Sequence, residues 1–241
     1  TGVYNAGKRI LLAFTSVLTT ALNGVALPTF ASYGHTAEGL GRVFLKAASL
    51  TSLLTAPLYF GLIVLSDDAI NLLIGEKWMD AAPVLSALVG AAYITSVGQY
   101  NQNVMLVNSK PHWDTVLNII YTVSNIALFI WWARYGAVML ALAGSVRALV
   151  FFPLSLIPAL RLTNMPISVY LREMAPSVIA ATGMAFAVYA LKFYVLADLP
   201  VLLRIILLVP FGAVVYAALI FVLKRSLFDE VFHIAKHILH K

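Results

Sequence analysis

Residues 201–223 read VLLRIILLVPFGAVVYAALIFVL, with a single charge, Arg204, and a single proline, Pro210. Wound as a helix at about 1.5 Å per residue, this run is long enough to cross a hydrocarbon core roughly 30 Å thick. Six more segments of the same kind precede it, at 10–33, 43–65, 81–107, 116–132, 137–160 and 176–197. Short polar connections separate them, at 34–42, 66–80, 108–114, 133–136, 161–175 and 198–200. Continuous apolar runs of this length predict helices; a β-barrel would show short segments of alternating hydropathy instead. The expected fold class is therefore an all-α polytopic membrane protein with about seven transmembrane helices. Pro57, Pro153 and Pro210 fall inside the runs, where a kink is tolerated if neighbouring groups satisfy the freed carbonyls.

Composition agrees. Of 241 residues, 61% are hydrophobic and 11% charged, and the mean hydropathy is +0.91. Soluble domains run near 45–50% apolar and about 25% charged, so a soluble enzyme is excluded. Disorder is excluded by the same apolar content. There is no cysteine, which removes disulfides, thiolate metal sites and thiol nucleophiles. The net charge of +6 reads as the basic bias of membrane loops rather than as a nucleic-acid surface. The chain opens at Thr1 without a charged leader or cleavage signal, so the expectation is the later part of a longer protein.

Orientation follows from the loops. Arg42, Lys46, Lys110, Arg161, Arg172, Lys224, Arg225, Lys236 and Lys241 share one side; Lys8, Arg9, Lys77, Arg134 and Lys192 share the other. The richer side is expected to be cytoplasmic, which puts the C-terminus inside and the acidic 66–80 connection outside. Residues 224–241 place Leu227, Val231, Ile234, Ala235 and Ile238 on one helical face, and predict an amphipathic cytoplasmic tail on the inner leaflet.

Polar residues inside the runs carry the functional signal, because burying them in lipid costs free energy. Asn5, Arg9, Ser16, Thr20 and Asn23 fall within about 60° of one helix face. Such a face lines water or a polar substrate, or bonds a neighbouring helix. Thr95, Ser96, Gln99, Gln102 and Asn103 lie within about 120° of a second face. Carboxamides offer donors and acceptors without charge, which suits sugar hydroxyls or a cation path, with bonds between helices as the alternative. Arg147 sits mid-run, and no acidic residue lies within any expected span to pair with it. An anionic substrate group, a helix C-terminus or a water cavity would satisfy it.

Other motifs carry less. Gly2 to Lys8 match the first seven positions of a phosphate-binding loop, but Arg9 stands where Ser or Thr must hold magnesium. His233, His237 and His240 share a face of the tail without accompanying carboxylates and read as solvated. No catalytic constellation is apparent, so no enzyme chemistry, metal or cofactor is expected.

Several stretches resemble a known family. Gly2, Tyr4, Ala6 and Arg9 before Ile10 are similar to the start of a span in bacterial polysaccharide exporters, and Pro28 to Phe30 to its end. Phe44 to Ala47, Pro57 to Gly61, and above all Leu73-Ile-Gly-Glu-Lys-Trp78 followed by Ala81-Ala-Pro-Val-Leu85 extend the likeness. Together they resemble lipid-linked oligosaccharide flippases, the polysaccharide branch of the MOP exporter superfamily, from residue 2 to about 110. The resemblance implies two pseudo-symmetric lobes around a cavity, this chain being the C-terminal lobe and lacking its N-terminal partner lobe. It implies alternating-access flipping of an undecaprenyl-diphosphate-linked oligosaccharide across the bacterial inner membrane, with polymerase or chain-length machinery as possible company. Arg9 and Arg147 would then attract the diphosphate. Asn5, Asn23, Gln99, Gln102 and Asn103 would line the sugar path, and Lys46 would meet the headgroup on entry. The alternatives are a cation-coupled drug exporter of the same superfamily, which usually needs an intramembrane carboxylate, a non-transporting scaffold, or a polysaccharide-assembly enzyme, which would need a larger outer loop.

Overall fold

The structure is a computed structural model, and it describes residues 2–16, 36–108 and 111–224. Described residues are helical or in short turns, with no strand among them. Helix α1 covers residues 2–16. It is followed by α2 (Ala37–Val64), α3 (Ser66–Ile74), α4 (Ala82–Val107), α5 (Pro111–Trp132), α6 (Ala137–Leu162), α7 (Ile167–Tyr194) and α8 (Val201–Leu223). Tight 3-10 turns at Glu76–Ala81 and Ala133–Tyr135 lead into α4 and α6. Six helical stretches among the described residues are long and apolar enough to cross a membrane. The first expected span, 10–33, is described only as far as residue 16, and the tail beyond Lys224 lies outside the described residues.

Local chemistry sets the helix ends. Thr36 caps α2, its hydroxyl accepting from the Gly39 amide at 3.1 Å, so the helix starts six residues before the apolar run does. Gly75 (φ 90°), just before the first 3-10 segment, and Gly136 (φ 97°), between the second and α6, hold the positive-φ turns there. Pro57, Pro153 and Pro210 lie inside continuous helices.

Two stretches read as loops are helical. The acidic connection 66–80 becomes α3 and a 3-10 turn, because Leu65 ends α2 and opens α3 while Ala69 and Ile70 turn into the core. Helix α7 begins at Ile167, well before the apolar run at 176, so Glu173 is a carboxylate within a membrane-length helix. The expectation of no acid within a span is corrected there: a window of hydropathy stops at Arg172 and Glu173, but the helix does not.

Helix α2 is central. Its residues enter three buried clusters: Tyr59 and Leu62 with α1, α3 and α4; Leu40, Phe44 and Ala48 with α4, α6 and α7; Ala56 with α7 and α8. Helix α4 packs on α2 and α6, α7 on α2 and α8, while α5 rests at the edge against α6 and α4. In lipid, apolar contact alone does not favour helix over lipid, so small residues and interhelical hydrogen bonds decide the pairing. Ala48, Ala180 and Ala181 are fully buried. Between α2 and α4, Thr51 and Tyr100 (2.7 Å), Ser52 and Tyr93 (2.8 Å), and Tyr59 and Ser96 (3.0 Å) are hydroxyl pairs.

Candidate functional site

Helix α4 divides its polar residues between two tasks. Ser96 bonds Tyr59 of α2, and Asn101, fully buried, donates to Ser155 of α6 at 2.9 Å. These two are the interhelical glue. Thr95, Gln99 and Gln102 occupy a narrower arc and open into a cavity of about 310 Å³ between α4, α5 and α6. Asn118 and Tyr121 of α5 and Ser155 of α6 add polar lining, and Phe151 and Phe152 form the apolar part of the wall. The cavity can therefore hydrogen-bond an uncharged polyol along one side and stack rings along the other.

Arg147 of α6 stands beside it, half buried. Its guanidinium carbon lies 3.9 Å above the Tyr121 ring, and Nη1 donates to the Tyr121 carbonyl at 3.3 Å and to Ser124 Oγ at 3.5 Å. Nε is buried and has no hydrogen-bond partner. No carboxylate pairs with it among the described residues.

On α1, Asn5, Arg9 and Ser16 are exposed. The opposite face, with Gly7, Ile10 and Leu11, is buried against the bundle. The polar stripe thus points away from the core of this bundle, and its residues are not part of the cavity lining. Thr20 and Asn23 lie outside the described residues. Lys46 is exposed on α2, and Asn103 is half buried outside the cavity lining. Residues 2–16 form a helix, so Gly2 to Lys8 do not make a phosphate loop.

Sequence reasoning missed a buried charge cluster. Asp68 of α3 is 1% exposed and pairs with Lys192 of α7 at 2.9 Å and with Arg204 of α8 at 2.8 Å. Lys192, 2% exposed, also bonds Asp67 and the carbonyl of Val64 at 3.0 Å. At the opposite end of the bundle Lys224 pairs with Glu173 and donates to Ser49 at 3.0 Å. The available signal was two cations near the ends of the last two apolar runs and two acids just after an earlier one. Only the fold shows that they meet. These carboxylates are bonded across helices and are placed to brace α7 and α8.

Comparison with known proteins bears on what such a bundle belongs to. A family model described as polysaccharide biosynthesis protein matches residues 1–83. The succinoglycan biosynthesis transport protein of Rhizobium meliloti is 27% identical, over 98% of this chain and 48% of that protein. The lipopolysaccharide biosynthesis protein WzxC of Escherichia coli is 26% identical, over 50% of this chain and 25% of its own length. The solved structure of the lipid II flippase MurJ in its inward closed conformation superposes with a TM-score of 0.76 at 19% identity, covering 94% of this chain and 48% of that one. This likeness shows the fold alone, that of about half of the superposed structure, and the chain spans about half the length of the transport protein and of the flippase. None of these relatives bears an enzyme's name. An all-α, multi-pass membrane bundle, the chain is similar along nearly its whole length to about half of a succinoglycan biosynthesis transport protein and, in fold, to about half of a lipid II flippase.

Proposed function

We propose that the chain is the C-terminal lobe of a transporter that flips a lipid-linked oligosaccharide across the bacterial inner membrane for surface polysaccharide synthesis. The observation that carries this reading is the cavity of Gln99, Gln102 and Asn118 within a membrane-length bundle, beside an arginine with no carboxylate partner among the described residues. Carboxamides bond sugar hydroxyls in either direction, and a guanidinium binds phosphate in two parallel bonds. The exposed face of α1, with Asn5 and Arg9, supplies a second polar surface for the other lobe to enclose. Lys46, Asn103, Ser16, Thr20 and Asn23 complete the path. Rocking of the two lobes would open it to each side in turn. The undecaprenyl tail stays in the bilayer, the C-terminus lies in the cytoplasm, and a polysaccharide polymerase receives the product.

The drug-exporter reading asks for an available intramembrane carboxylate. Asp68 and Glu173 are both engaged by lysine or arginine, which favours the flippase. The test is surface polymer in cells whose native protein carries Arg9→Ala, Arg147→Ala, or Gln99→Leu with Gln102→Leu. Removing a charged hydrogen-bond partner is expected to lower export about tenfold or more. Normal polymer in all three strains would overturn the proposal.

A further inference from the structure

The contacts of Arg147 are those of an occupied seat rather than of a satisfied one. Its two donor bonds are long, at 3.3 and 3.5 Å, and both reach neutral oxygens of one helix turn on α5. The Tyr121 carbonyl is shared, since Ser124 Oγ donates to it at 2.8 Å. Nε is buried and unpartnered. The guanidinium lies over the Tyr121 ring, its carbon 3.9 Å from the ring centre. A cation–π contact of this kind is weaker than two parallel bonds to a phosphate, which form at about 2.7–2.9 Å.

The same contacts hold α5 in place. None of the described α5 side chains is buried. Beyond Arg147, the ring contacts that tie α5 to other helices of the bundle are edge-on: Tyr121 with Phe151 of α6 at 6.4 Å, and Phe129 with Tyr4 of α1 at 6.0 Å; at its C-terminal end Arg134 lies 5.7 Å from the Trp131 ring and Tyr135 5.6 Å from that of Trp132. Helix α5 is also the wall of the polar cavity, through Leu117, Asn118 and Tyr121. One side chain, Tyr121, therefore touches both the cavity and the arginine that clasps the middle of α5 from α6.

We propose that Tyr121 is a placeholder for a phosphate group. With the site empty, its ring occupies the guanidinium of Arg147 and latches α5 onto α6. A phosphate or diphosphate that takes Arg147 displaces the ring, releases α5 and opens the cavity sideways toward lipid. Headgroup binding and access for the attached sugars become one event. This inference rests on the flippase reading and names the residue that couples its two parts.

The chain contains no cysteine, so paired spin labels at Ile126→Cys on α5 and Ile179→Cys on α7 are unique within it. Both positions are exposed. The native full-length protein, freed of any cysteine elsewhere, is placed in nanodiscs and the label–label distance distribution is recorded. Without phosphate, wild type and Tyr121→Phe, which keeps the ring face, are expected to give one narrow distribution. Tyr121→Leu and Arg147→Gln are expected to broaden it toward longer distances. Undecaprenyl diphosphate should shift wild type to the Tyr121→Leu distribution, while uncharged undecaprenol should not. If inorganic pyrophosphate alone produces the shift, the trigger is the free anion; if only the lipid does, it is the headgroup.

The same narrow distribution in all four proteins overturns the latch. A wild-type distribution that neither diphosphate changes overturns the placeholder, and it does so without relying on any variant folding. Surface polymer is read in parallel. Export lost in Arg147→Ala together with an unresponsive distance would keep the flippase and remove the latch. A responsive distance with normal polymer in every site variant would keep the latch and remove the flippase.

Discussion

Asp68 gives up nearly all of its water. A carboxylate taken out of solvent is costly, and the cost is recovered only when opposite charges stand at short range with good geometry. Lys192 and Arg204 stand at 2.9 and 2.8 Å from its two oxygens. Asp67, on the same turn, is 40% exposed and reaches only Lys192. The two acids should therefore differ sharply. Asp68→Ala leaves two cations short of their partner and is expected to cost about 3–5 kcal/mol. Asp67→Ala should cost about 1 kcal/mol or less, as for a partly solvated pair. Thermal unfolding of the purified protein in detergent measures both, and equal losses would contradict this account. None of this pairing was legible in the sequence. Lys192 and Arg204 sat near the ends of apolar runs and the two acids at a loop edge, and a hydropathy window sees such charges without seeing which of them face one another. Arg147 was legible because it interrupts an apolar run. Its partner Tyr121 was not, since a tyrosine in an apolar helix carries no mark of facing an arginine.

At the scale of elements, the α2–α4 contact is written in hydroxyls. Thr51 and Tyr100 share one bond at 2.7 Å with both side chains buried. Removing either partner strands a buried polar group, at about 1–3 kcal/mol, while removing both can be close to neutral. Thr51→Val and Tyr100→Phe should each destabilise, and the double variant should lose less than their sum in a double-mutant cycle. Close approach elsewhere depends on what a methyl would strike. At Gly7 an added Cβ would meet the backbone of Ala81 and Leu85 at 3.2 Å. At Gly183 it would meet the tip of Leu219 at 2.9 Å. A side-chain tip can rotate away and a backbone cannot. Gly7→Ala is therefore expected to lower stability by about 1 kcal/mol or more, and Gly183→Ala to lower it less despite the shorter contact. Melting temperatures of the pair decide it. Period and composition placed Thr95, Ser96, Gln99, Gln102 and Asn103 on one face of α4, with Asn101 off it. They did not divide that face. Ser96 turned out to bond a helix, as does Asn101 off that face, while Gln99 and Gln102 line a cavity, since the neighbour that meets each arc is a property of the bundle.

Across the whole molecule, the helices form a packed centre with a loose margin. Helix α2 touches all three buried clusters, whereas α5 buries none of its described side chains. Local opening is easiest where buried contact is least. Amide exchange in detergent should therefore be fastest in α5 among the six membrane-length helices and slowest in α2; protection of α5 equal to that of α2 would contradict the packing. The helical class and the position of most long helices were readable from apolar runs alone, because lipid forces backbone bonds to close within a segment. Helix α3 was hidden, being short and charged at its start, and so was the early start of α7 around Glu173.

The buried cluster has one more consequence. Asp67, Asp68, Lys192 and Arg204 sum to zero charge, so moving that end of the bundle through a membrane potential does no electrical work. Among the described residues Arg147 has no such counterweight, and carrying it across the full field would take about 2.3 kcal/mol per 100 mV. Voltage across a reconstituted bilayer is thus expected to bias the steps that move α6 and to leave the rearrangements of α3 indifferent.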